Sequence, residues 1–83
     1  MERSKIEQEV QSIAWSILGS NFWNVHTSNY YKREFGEDVV VIMMRGIISS
    51  QKMDQLREKF EIYQYSCSGG SPSTISIVVE LRE

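Results

Sequence analysis

The sequence predicts an α+β domain, a two-layer α-β-β-α-β-β sandwich in which two helices cover one face of a mainly antiparallel four-stranded sheet. Three observations carry that expectation. Ile6, Val10, Ile13, Ala14, Ile17 and Leu18 recur at helical spacing near the start of the chain. Ile75, Ile77, Val79 and Leu81 alternate with Ser76, Val78 and Glu80 near its end, the period of a strand. Between them runs Asp38-Val-Val-Val-Ile-Met-Met-Arg-Gly46, the densest apolar stretch, whose β-branched residues favour an extended backbone.

The first helix is expected from Ser4 to Leu18. Ser4 and Glu7 have the spacing of a capping box, and Gly19 suits a left-handed C-terminal cap. Trp15 lies about 150° from the centre of the apolar stripe at 100° per residue. It is expected to fold back over a neighbouring loop or, failing that, to meet a partner.

Phe22 to Phe35 reads as one long strand bent near Ser28-Asn29. Gly36-Glu37 then serves as a two-residue type II′ hairpin loop. That turn pairs Phe35 with Asp38, Tyr31 with Ile42 and Tyr30 with Met43. One face would carry Trp23, Val25, Tyr31, Val40, Ile42 and Met44, and the other His26, Tyr30, Lys32, Val41, Met43 and Arg45. A one-residue slip along either strand would exchange the two sets.

Ile48, Ser49 and Met53 fit a hydrophobic staple around a serine N-cap. A helix from Ser50 to Lys59 follows, with Met53, Leu56 and Phe60 inward and Lys52, Arg57 and Lys59 toward water. Glu61 to Cys67 reads as a third strand carrying Tyr63, Tyr65 and Cys67 on one face. Ser68 to Ser73 is a loop, and Thr74 to Leu81 the last strand. The order matches a circular permutation of the ferredoxin-like β-α-β-β-α-β arrangement, preferred here over a plain meander. The last strand would then lie between the second and third.

Composition narrows function more than it names it. Eighty-three residues make one domain, spanning 1–83. A net charge of −2 argues against a general nucleic-acid binder. One cysteine, Cys67, excludes an internal disulfide and suits a reducing compartment. The charged N-terminal residues match neither a signal peptide nor a lipidation motif, so a cytoplasmic location is expected. No metal-ligand spacing is present, and no cofactor or metal is expected. His26 and Cys67 are the only histidine and cysteine; they would pair only if the first and third strands were neighbours, and no third group is marked to orient the histidine.

The expectation is a small non-enzymatic protein–protein interaction module. Two helices cannot cover both faces of a four-stranded sheet, so Phe22, Tyr30, Val39, Val41 and Met43 would form a bare apolar patch. A second copy of the chain is the first-choice partner, giving a homodimer, with Trp15 as the surface to consider if the chain covers that face itself. The alternative is single-stranded nucleic-acid binding by Tyr30, Tyr63 and Tyr65 beside Lys32, Arg33 and Arg45. No membrane partner is expected.

Overall fold

The computed structural model describes residues 5–69 and 73–82. Helix α1 (Lys5–Leu18) leads through a 3₁₀ turn (Gly19–Asn21) into β1 (Phe22–His26). Then come α2 (Asn29–Phe35), β2 (Val39–Arg45), α3 (Ser50–Lys59), β3 (Phe60–Ser68) and β4 (Thr74–Leu81). The four strands form one antiparallel sheet in the order β1-β2-β4-β3. The fold is α+β, and the last strand sits between the second and third as expected.

The α1 stripe buries Val10, Ala14 and Leu18 against Val25, Val40, Ile42, Met44, Ile75, Ile77 and Val79, with Leu56 of α3 and Phe60 closing the layer. Gly19 takes φ +58, the left-handed geometry expected of the residue ending α1. The Ser4 cap lies outside the described residues. The Ser49 hydroxyl accepts from the Lys52 backbone N–H at 3.3 Å, so the predicted N-cap of α3 is present. Ile48 and Met53, its staple pair, both pack on the core.

The long strand from Phe22 to Phe35 does not form. Its second half is helix α2, and the chain order is α-β-α-β-α-β-β. The reason is an ambiguity of period. Tyr31 and Phe35 are four residues apart, an even spacing that shares one face of a strand and also about one helical turn. Gly36 is not a hairpin residue. It stops α2 at φ +137, its N–H bonded to the Lys32 carbonyl at 3.0 Å. The predicted pairing of Tyr30 and Tyr31 with β2 is therefore replaced. Phe22 faces Met44, Asn24 faces Met43, Val25 faces Ile42 and His26 faces Val41. The register shift between Phe22 and Asn24 makes Trp23 a bulge residue.

Instead of two helices on one face, α1 and α3 hold one face and α2 the other. Tyr31 and Phe35 of α2 pack with Met43 on buried Val39, Val41 and Val78. Val39 and Val41, expected bare, are 1% and 2% exposed. Lys52, expected in water, is half-buried. Its ammonium donates to the Leu18 carbonyl at 3.2 Å and to Asn21 Oδ1 at 3.1 Å. Asn21 Nδ2 donates in turn to the Arg45 carbonyl at 2.9 Å. One charged side chain thus ties α3 to the end of α1 and, through Asn21, to the end of β2.

Candidate interaction surface

Seven of the nine aromatic residues separate into two groups with different work. Tyr30 meets Tyr31 edge-on at 5.2 Å, Tyr31 stacks on Phe35 at 6.2 Å, and Phe35 stacks on Tyr63 at 5.1 Å. The Tyr63 hydroxyl donates to Glu80 Oε1 at 2.9 Å. That hydrogen bond to a carboxylate, reinforced by desolvation and the nearby charges of Glu80 and Glu61, raises the Tyr63 pKa above its ordinary value. This run of rings is how a seven-residue helix covers a β-branched sheet face. It is packing, with only Tyr30 left largely in solvent.

The second group is open. Trp15 stacks on Phe22 with centroids 6.3 Å apart and planes 10° apart, so α1 leans its off-stripe residue over the start of β1. Trp15 is nevertheless 62% exposed. The bulge turns Trp23 toward Arg45, whose guanidinium lies 3.9 Å from the ring centroid. Trp23 is 45% exposed. Gln11, Trp15, Phe22 and Trp23 line a shallow cavity of about 320 Å³. A neighbouring one of about 280 Å³ is lined by Gln8, Gln11, Ser12 and Trp15. Every residue lining these two hollows is uncharged. The surface is built jointly by α1 and by β1, an outer strand of the sheet.

Of the predicted contact residues, Trp15 and Phe22 meet here. Val39 and Val41 are internal, Met43 is half-buried beneath α2, and Tyr30 lies on α2. The strand alternation places Trp23 on the helix-covered face with Val25, so sequence reasoning misses it as a contact residue. The signal was present: adjacent aromatics in a strand cannot both point inward.

The residues proposed for nucleic-acid stacking are not gathered on one bare face. Tyr30, Lys32 and Arg33 are on α2, Tyr63 is engaged by Phe35 and Glu80, and Arg45 covers Trp23. Tyr65 faces Ile77 in register, on the side of the sheet that α1 and α3 cover. His26 and Cys67 lie on opposite outer strands with β2 and β4 between them, about 14 Å of sheet, and do not meet. Among the described residues no group of three His, Cys, Asp or Glu side chains could hold a metal ion. No helix among them is long and apolar enough to cross a membrane.

No protein-family model, curated protein or solved structure matches this chain.

Proposed function

We propose that this chain is a small non-enzymatic protein–protein interaction module that self-associates, and that its contact surface is Trp15, Phe22 and Trp23 rather than the sheet face beneath α2. The observation that supports this reading is the pair of open tryptophans at one edge of the sheet, Trp15 on α1 and Trp23 on the outer strand β1. A tryptophan presents about 250 Å². The 62% exposure of Trp15 then leaves roughly 155 Å² in water. Covering that area returns about 4 kcal/mol per protomer at 25 cal/mol per Å², before association entropy is subtracted. Adjoining uncharged hollows give a partner side chain somewhere to enter.

Sedimentation equilibrium tests the proposal directly. The parent is expected to show a concentration-dependent monomer–dimer equilibrium, with Trp15→Ser weakening it at least tenfold and leaving the circular dichroism unchanged. An added single-stranded oligonucleotide should have no effect. A parent monomeric at millimolar concentration would overturn the proposal. So would oligonucleotide binding that falls steeply with salt, which would favour the nucleic-acid reading instead.

A further inference from the structure

We infer that the second copy joins by strand addition: β1 of each protomer pairs antiparallel with β1 of the other about a two-fold axis at Val25, giving one continuous eight-stranded sheet. This rests on the self-association proposed above and specifies its geometry.

The sheet order leaves two outer strands, β1 and β3. Natural sheets blunt such edges with charge, proline or bulges. Both have a register break, at Trp23 in β1 and at Tyr63 in β3, so charge is what separates them: β3 carries Glu61, tied to Arg82 at 2.9 Å. β1, Phe22-Trp-Asn-Val-His26, has no Asp, Glu, Lys, Arg or Pro. Two copies therefore meet there with no like-charged residues on the paired strands themselves. The edge is also flanked by open aromatic surface on both sides. Trp15 lies over Phe22 on the α1 side, and Trp23 lies over Arg45 on the other. The exposed parts of the two tryptophans come to about 270 Å² per protomer, roughly 540 Å² for two copies. That is close to half of the ~1,200 Å² at the lower end of specific interfaces. Phe22, Gln11 and a strand edge about 17 Å long supply the remainder.

The bulge selects the register. Residues opposite one another in an antiparallel pair point to the same face. Val25 shares the face of Ile42, while Asn24 and His26 share the face of Met43 and Val41. Phe22, before the bulge, is on the face of Met44. Placing Asn24 opposite Asn24 would set His26 against Phe22 on the wrong face. Placing Val25 opposite Val25 sets Asn24 against His26, both exposed on the same side. The pairing is isologous, so it closes as a dimer instead of growing into a fibre.

Two charge patterns at exposed positions test the register in the full chain. Asn24→Lys/His26→Lys puts lysine against lysine in both cross-strand pairs and should weaken the dimer at least a hundredfold. Asn24→Lys/His26→Glu puts lysine against glutamate twice and should keep the parent's dimer. A dimer unaffected by the double lysine variant would overturn strand addition. Loss of the dimer in both variants, each retaining the parent's circular dichroism, would overturn the register. Should either variant fail to fold, the parent alone decides by amide hydrogen exchange. β1 amides should exchange at least tenfold more slowly at high protein concentration than at low. Equal rates would overturn the pairing. If the parent dimerises, Trp15→Ser weakens it, but these tests fail, the contact surface stands and only its geometry is wrong. A parent that stays monomeric ends both.

Discussion

Val41→Asp is the change that asks whether α2 truly seals the second sheet face. Val41 sits mid-strand in β2, 2% exposed, with Val39 and Val78 beside it and Tyr31 and Phe35 packed on the cluster. Removing a buried valine forfeits roughly 1.5–3 kcal/mol of burial. The new carboxylate must then stay charged without a partner, or take up a proton at a cost that grows with pH. A loss of about 4–6 kcal/mol is expected, against a total of about 4–12 kcal/mol for a domain this size. The variant should be unfolded at neutral pH or lose several molar in urea midpoint, followed by tryptophan fluorescence and far-ultraviolet circular dichroism. Burial raises the folded-state pKa of the new carboxyl above its unfolded value. The deficit is therefore smallest below about pH 4 and grows as pH rises through the folded pKa. His26 lies opposite Val41 and is the one cross-strand neighbour whose side chain could meet the charge, so Val41→Asp/His26→Ala should be no more stable than Val41→Asp. A Val41→Asp chain that folds with the parent's midpoint at neutral pH would refute the reasoning. It would mean that α2 leaves this face in solution and that Val41, not Trp15, lines the contact surface.

Two further perturbations probe the frame. Lys52→Met keeps the aliphatic stem but removes the ammonium that bridges Leu18 and Asn21; it should cost roughly 1–2 kcal/mol in urea denaturation, and no measurable loss would show that the bridge is not formed in solution. Tyr63 holds its proton more tightly when folded because of Glu80, so the unfolded chain releases its proton first as pH rises. The stability contributed is present below about pH 10 and lost as pH climbs through the folded value; Tyr63→Phe should flatten that part of the stability–pH curve, and a curve unchanged by the substitution would dissociate Tyr63 from it.

What the sequence determined by itself is whatever a single periodicity states without a rival. The α1 stripe ends at Leu18 in front of Gly19, Ser49 caps α3, and the alternation from Thr74 to Leu81 forms a central strand. These are local: spacing, cap and breaker agree over a few residues, and the fold had only to accept them. The faces of Val25, Val40, Ile42 and Met44 were legible for the same reason. The stretch from Phe22 to Phe35 was not, because Tyr31 and Phe35 satisfy the strand and helix periods equally. Only the apolar face offered by Val39, Val41 and Val78 decides between them, since it gains a cover when the segment coils and none when it extends. That choice moved the candidate surface. It took Val39 and Val41 out of solvent and left Trp15, Phe22 and Trp23 at the open edge of an outer strand. The bulge at Trp23 and the inward reach of Lys52 depend on partners twenty or more residues away in Arg45, Leu18 and Asn21. Their energies arise only once the layers are packed, which is why local pattern placed Trp23 inside and Lys52 outside.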